Sequence, residues 1–556
     1  MDSRLCWRSM FCGVLGAGLF FGAILEAAGR WAELAGWISK DEIRRHTVVL
    51  GSDALEGRAP GTRGGRRAAA YIAGELSRMG LKPAGDRGGY FQMVPLHGSV
   101  PLPSSRLRLT SLGDNRDLDL GSDYLLFTTG SQTEIPQAVP MVFVGYGIVA
   151  PEFDYNDYAD LDVRDRVVVY LPGEPPSDDR DFFFGKAPTV YSAPESKKRI
   201  ALSRGARASF LLPLVDGDAG GAWERLRRDF AFEDLSLAYA VPAHLSGIFH
   251  PRLAESLFLS ALYDWEAVRR MERTGTIRSF HLPVKLSFDG RFRSRDVMAP
   301  NVVARLDGRN PQLRETAVVV SAHYDHLGIG PEIGSDRIYN GVVDNAIGVA
   351  GSLEIARVFS ELESPPGRSV LFFFGTAEEE GLLGTQYFLD HPPLPLSKMV
   401  ANVNIDGLAF HDTFDDVIGV GSELSTLGRD LEVVARYLGL AIGTTSPELW
   451  SSESFSRSDQ AVFAERGVPS ILINEGFSWR HVSRAEAERR TLRWLREIYH
   501  SPADDLDQEL SWTAARQHAA VVAALVLRLA DSRESPEWHP GVSYAYERAL
   551  SRATER

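Results

Sequence analysis

The sequence predicts an α/β fold: a mixed, mostly parallel open sheet with helices on both faces, interrupted by an inserted β-rich body. Three observations predict it. From about residue 299, near-continuous apolar runs alternate with amphipathic stretches, the pattern of buried parallel strands and their crossover helices. Residues 131–290 instead carry short apolar runs hemmed by turn residues, as a compact body with its own core would. The 556 residues are also too many for one ordinary core.

The elements follow in order. "ISKDEIRRHTVV" reads as a helix, "EGRAPGTRGG" as a Gly/Pro loop, and "RRAAAYIAGELSRMG" as a helix with a glycine stop. "YFQMVPLHG" and "SRLRLTSL" read as strands, so residues 40–130 form the N-terminal part of the main domain. Within 131–290, "VPMVFVGYGIVA" and "DRVVVYLPG" are short buried strands, and "ESKKRIALSRGARASFLLPL" is a helix, a glycine and a strand. Lys197, Lys198 and Arg199 are expected on a solvated helix face, and "DGDAGGAWE" in a Gly-rich loop. Residues 295–535 resume the main domain. "ETAVVVSAHYDH", "RSVLFFFGTAEEE", "KMVANVNIDG" and "GVPSILINEG" are strands separated by helical stretches, and "SWTAARQHAAVVAALVLRLADS" is the last long helix. The tail, 536–556, is short and polar and is expected to be loosely ordered.

The composition, 44% hydrophobic and 24% charged, is that of a folded soluble protein. A formal charge of -14, a pI near 5.5 and the lack of a long Lys/Arg stripe exclude a general nucleic-acid binder. Residues 1–28 read as a signal peptide: Arg4 and Arg8 precede "MFCGVLGAGLFFGAIL", and small residues follow, with cleavage near Ala27 or Ala28. Export to a periplasm or the cell exterior is then expected; left uncleaved, the segment is a membrane anchor. Cys6 and Cys12, the only cysteines, both lie in it. The cleaved chain therefore has no disulfide, cysteine nucleophile or thiolate site, and any metal must be held by His, Asp and Glu.

Ligands of open α/β sheets bind beyond the carboxyl ends of the strands. Three predicted strands end in ligand-type residues: His323-Tyr324-Asp325-His326, Glu378-Glu379-Glu380, and Asp406. Asp344 lies where a helix begins, and His500 lies in a downstream loop. Singly, each has an ordinary reading: Asp344 a helix cap, His323 a structural histidine, Asp406 a turn cap, His500 a surface histidine. Together they describe one polar site, and adjacent carboxylates that acidic call for cations.

The stretches "SAHYDHLG", "NGVVDNAIGVA", "GTAEEEGLLGTQYF", "VNIDG" and "YHSPADD", in that order, resemble the co-catalytic zinc aminopeptidases of peptidase family M28, over about 40–130 and 295–530. The insertion resembles a protease-associated (PA) domain. The resemblance implies that His323 and Asp406 bind one Zn²⁺, Glu379 and His500 a second, and that Asp344 bridges them. Glu378 would be the general base and Asp325 would orient His323. His326 is left as structural or rim, and Glu380 as solvent-facing. Spacing does not choose Glu378 over Glu380 as the base; the resemblance does. The implied activity is that of an exported di-zinc metallo-aminopeptidase acting on peptides with a free N-terminus, with cobalt or manganese as substitute metals. No nucleic acid is expected as a partner, and a membrane only through an uncleaved leader.

Two departures bear on pocket shape: Ser458-Asp459-Gln460 where the family more often reads Ser-Asp-His, and Gly407 where a bulkier residue is common. The basic stretch "SWRHVSRAEAERRTLRWLREI" is read as a solvated excursion near the site. Three alternatives stay open. A glutamate-carboxypeptidase type needs arginines that grip a C-terminal carboxylate. A glutaminyl-cyclase type would use one zinc. A receptor-like binding protein would have lost ligands that are kept here.

Overall fold

The computed structural model describes residues 30–553 apart from 32, 112, 128–132, 180, 184, 186–188, 215–220, 242–243 and 445–454. The expected leader, 1–28, lies outside the described residues, as does most of the 216–224 loop. Among the described residues no helix is long and apolar enough to cross a membrane.

Strand Ala317–His323 is the axis of the molecule, and all of its residues are buried. It runs parallel to Ser369–Gly375 on one side and Met399–Asn404 on the other, and Met399–Asn404 runs parallel to Ser470–Glu475. Period-2 alternation sends Val318 and Val320 into one core, with helices Ile347–Glu361 and Trp512–Asp531. Ala317 and Val319 go into the other, with Phe388 and Phe463. Both faces are therefore covered, which is why these strands read as unbroken apolar runs. Antiparallel strands flank the four: Phe292–Leu306 and Phe91–Pro101 on one side, Asp416–Val420 on the other.

The second sheet takes its strands from Arg106 to Asp289, in the order Asp114–Leu118, Arg106–Ser111, Phe280–Asp289, Glu134–Phe143, Val167–Tyr170, Ala208–Leu211, Leu245–Phe249, Tyr124–Leu126. It thus begins upstream of residue 131. Leu107 and Leu109 face its core, not that of the large sheet. Strand Asp234–Leu237 leaves this body and pairs antiparallel with Phe91–Pro101, where Leu235 and Leu237 pack on Val94 and Leu96.

Two expectations are corrected. Lys197 is not on a solvated face: it is fully buried, and Nζ donates to the carbonyls of Tyr146 at 2.7 Å, Leu171 at 3.2 Å and Gly173. It pins helix Pro194–Ser203 to the strand ends beneath it. The described part of the tail, 536–553, is also ordered. Trp538 donates to Gly467 O at 3.0 Å, and helix Tyr544–Ala553 packs with Arg548 buried.

Candidate metal centre

The carboxyl ends of the parallel strands lie level: His323 pairs with Gly375, Ser321 with Asn404, and Asn404 with Leu472. Each strand then turns its polar residues over the same end of the sheet. After Gly375 the chain reverses at Ala377, whose φ of 56° is left-handed. Gly381 and Leu382 donate to Glu378 O at 3.0 and 2.8 Å, closing the turn that carries Glu378 and Glu379. Asp406 follows Met399–Asn404. Its loop is held by Asn345, which donates to Ile405 O at 2.9 Å and accepts from Gly407 N at 2.8 Å. Gly407 has φ 84°, a left-handed backbone that suits glycine and accounts for the absence of a bulkier residue there.

Asp344 does not cap a helix: the N-cap of helix Ile347–Glu361 is Ala346, and no side chain caps it. Its carboxylate is spent on the site. Oδ1 lies 3.3 Å from His323 Nε2, and Oδ2 lies 3.3 Å from His500 Nε2. Asp406 Oδ1 stands 3.2 Å from His323 Nε2, and Glu379 Oε2 stands 3.1 Å from His500 Nε2. The five residues expected as ligands thus converge, with Asp344 between the two histidines.

The surroundings refine the expected roles. Asp325 reaches His323 Nδ1 through its carbonyl, at 3.3 Å, with its carboxylate at 3.8 Å. That carboxylate accepts from Glu378 N at 3.2 Å. His326 is no rim residue: it is fully buried, and Nδ1 lies 2.5 Å from Glu379 Oε1, leaving Oε2 toward His500. Glu380 is not solvent-facing either. It is half-buried and accepts from Leu235 N at 3.3 Å. Burial, with Asp234 nearby, holds it well above the usual carboxylate range.

Three residues escaped the reading of the sequence. Asp504, from "YHSPADD", is fully buried and accepts from Val343 N at 2.9 Å and Asp344 N at 3.0 Å, fixing the Asp344 turn. Arg58, from the "EGRAPG" loop, donates to Tyr324 O, Leu50 O, Asn340 O and Gly341 O at 2.5–2.8 Å. Glu475 ends the fourth parallel strand and lines the same cavity. The signal for it was present, since that strand ends in a carboxylate like its neighbours; its place beside Met399–Asn404 was the missing fact.

The electrostatics call for positive charge. Burial opposes ionisation of Asp344 and Glu379, yet the histidines outweigh it: Asp344 is held well below the usual carboxylate range and Glu379 is pulled down to about 2. Burial would keep His323 and His500 neutral, but Glu378 and Asp406 around the first and Glu379 and Asp344 around the second raise both. Glu378 goes the other way, pushed well up by burial against the partial relief of His323. The donors suit a metal. His323, Asp344 and Asp406 form one group, and His326, Asp344 and Glu379 another, each with ligand atoms within 4.8 Å. Nε2 of His500 is buried and makes no hydrogen bond of acceptable geometry, although carboxylate oxygens surround it. N and O donors converging without satisfying one another are those that zinc accepts.

The centre opens on a cavity of about 740 Å³. Its walls include Phe410, Trp479 and Trp494, and Lys198 and Arg199 of helix Pro194–Ser203. Tyr499 stacks on His500 with centroids 3.9 Å apart.

Residues 301–526 match peptidase family M28. A vacuolar membrane protease of Schizosaccharomyces japonicus is 27% identical over 152 residues, 27% of this chain and 15% of that protein. One of Saccharomyces cerevisiae is 32% identical over 107 residues, 19% of this chain and 10% of that protein. The chain therefore matches only a small part of the length of these curated relatives. An aminopeptidase from Aneurinibacillus sp. strain AM-1 shares the fold, with a TM-score of 0.53 and 17% identity over 89% of this chain and 95% of that one.

Proposed function

We propose, from the match of residues 301–526 to peptidase family M28, that the protein is a di-zinc aminopeptidase removing N-terminal residues from peptides. The observation that carries the reading is Asp344, whose two carboxylate oxygens each face a different histidine at 3.3 Å. His323 and Asp406 would hold one Zn²⁺, and Glu379 and His500 the other, with Asp344 shared. Bound zinc supplies Lewis acidity to the scissile carbonyl and to the attacking water.

The remaining steps belong to the protein. Glu378 lies beside the ligands on the cavity wall. It takes the proton of the attacking water on its carboxylate and delivers it to the leaving amine, a role worth about 10²–10⁴-fold. Asp325 fixes the base from behind through the Glu378 amide. The acidic cavity attracts the substrate's α-ammonium.

A carboxypeptidase is the second reading, favoured by Lys198, Arg199 and Arg457 on the cavity wall, which suit a terminal carboxylate. We read the body built on 106–289 as PA-like, and residues 1–28 as an export signal or membrane anchor.

The test is hydrolysis by the zinc-loaded protein of a short peptide beside its N-acetylated twin. Cleavage of the free peptide alone, at its first bond, is expected; release from the C-terminal end would replace this reading by the second. Glu378→Gln is expected to retain zinc and lose about 10²–10⁴-fold in kcat. Metal loss in that variant would mean that base and ligand are misassigned.

A further inference from the structure

Glu475 is a carboxylate that the centre does not use. It is the last residue of Ser470–Glu475, one strand over from the strand that leads to Asp406. Its side chain is 20% exposed and lines the cavity. Among the described residues the basic atom near it is His518 Nδ1, at 3.6 Å. That atom is occupied: Nδ1 accepts from Ala409 N at 3.0 Å, while Nε2 faces Ile473 O at 2.9 Å and must carry the ring proton. His518 therefore turns no N–H toward Glu475, and among the described residues no other basic group is paired with that carboxylate.

Glu475 shares its cavity with Lys198, Arg199 and Arg457, and also with aromatic rings. The rings run Trp494, Phe410, His411, Trp479 in sequence, with centroids 5.2, 4.1 and 5.0 Å apart. His411 Nε2 is buried and has no hydrogen-bond partner. Burial and then Arg490 outweigh Glu475 and bring His411 down to about 4, so it adds no positive charge at neutral pH. Arg484 lies over the Phe477 ring at 5.7 Å, but its donors go to Glu488 and Thr444 O, not to Glu475. Aromatic faces around an uncompensated carboxylate bind organic cations, by ring quadrupole and charge together. A neutral aliphatic side chain would leave that carboxylate half-desolvated and unpaired, which disfavours it.

We propose that Glu475 and the surrounding rings form the pocket for a cationic side chain, so that the preferred substrates are peptides beginning with lysine or arginine. This rests on the aminopeptidase reading above, which puts the first residue's α-amine at the metal centre and its side chain in the adjoining cavity.

The test uses the full zinc-loaded protein and three peptides identical except for the first residue: lysine, Nε-acetyl-lysine and leucine. The lysine peptide is expected to exceed its acetylated twin in kcat/KM by at least ~10-fold, and Glu475→Gln to reduce the lysine-to-leucine ratio by a similar factor. Equal turnover of lysine and acetyl-lysine peptides by the unsubstituted protein would overturn the proposal while leaving the aminopeptidase reading intact. An equal fall for all three in Glu475→Gln would also overturn it, assigning Glu475 to the α-amine or to structure. Binding of L-lysinamide by calorimetry keeps the test independent of turnover. If no peptide is cleaved, the aminopeptidase reading fails, and equal binding by the unsubstituted protein and Glu475→Gln then overturns the pocket as well.

Discussion

Arg58 and Lys197 are both buried completely, one in each sheet's body, and both direct their hydrogen bonds to backbone carbonyls. Beyond that they differ. Arg58 gathers carbonyls from the end of helix Lys40–Leu50, the His323 strand end and the loop before Asp344. It does so from a left-handed φ of 56°, a conformation that costs a non-glycine residue roughly 1–2 kcal/mol. Burial pulls its pKa down to about 10, which leaves it charged at neutral pH, with Asp325, Asp504 and Asp344 as its nearest negative charges. Lys197 converges on three strand-end carbonyls, and burial, partly offset by Asp157 and Glu174, brings it down to about 7. A planar fork that keeps its charge stands behind the carboxylate centre; an ammonium that can release its proton holds the insertion helix whose next residues, Lys198 and Arg199, line the cavity.

The contrast can be broken at several points. Arg58→Met is expected to have the largest effect, about 3–5 kcal/mol of stability, because it removes a buried cation from several carbonyls and nearby carboxylates at once. The denaturant midpoint of the zinc-loaded protein measures it, and a loss under 1 kcal/mol would deny Arg58 its place as a knot. Arg58→Lys keeps the charge but not the fork, so carbonyls are orphaned at about 1–3 kcal/mol. A lysine as stable as arginine would mean that charge, not geometry, is what the position requires. Lys197→Met should change stability by less than about 2 kcal/mol at pH 6, since the cost of burying an ammonium disappears with its hydrogen bonds.

The pH dependence separates the two sites further. Lys197 is lowered from 10.5 to about 7 in the fold, so between those values the unfolded chain binds the proton and the native one does not. Native stability therefore rises with pH over that window, by up to about 1 kcal/mol per unit, and Lys197→Met lacks the term. The stability of the unsubstituted protein relative to Lys197→Met should grow between pH 7 and 10; a constant difference would mean that Lys197 keeps its proton.

The centre was legible because its residues follow unbroken apolar runs: His323 after "AVVVSA", Glu378 and Glu379 after "SVLFFFGTA", Asp406 after "MVANVNI". A run of that kind tells where a buried strand ends, and in this fold class strand ends are where ligands bind. Burial of charge was not legible. Lys197 and Arg58 lie in stretches rich in Lys, Arg and Gly, which look solvated until the facing carbonyls are known. Glu380 was misread for the same reason, since its partner, Leu235 N, comes from another segment. The start of the second body at Arg106 was missed because short alternating strands such as "RLRLTS" carry no mark of which sheet they join.

Strand Asp234–Leu237 has a consequence for how the protein divides into modules. The chain leaves the large sheet after Pro101, returns for this one strand, departs again, and comes back at Phe292. A plain insertion has one exit and one re-entry and can be excised by joining the ends. Here excision would strip the outermost strand from the large sheet, leave Phe91–Pro101 as a bare edge open to pairing with other chains, and remove the Leu235 amide that Glu380 accepts from, two residues from Glu378. The two bodies are stitched, so the part built on the large sheet is expected to be recoverable alone only if Asp234–Leu237 is retained with it.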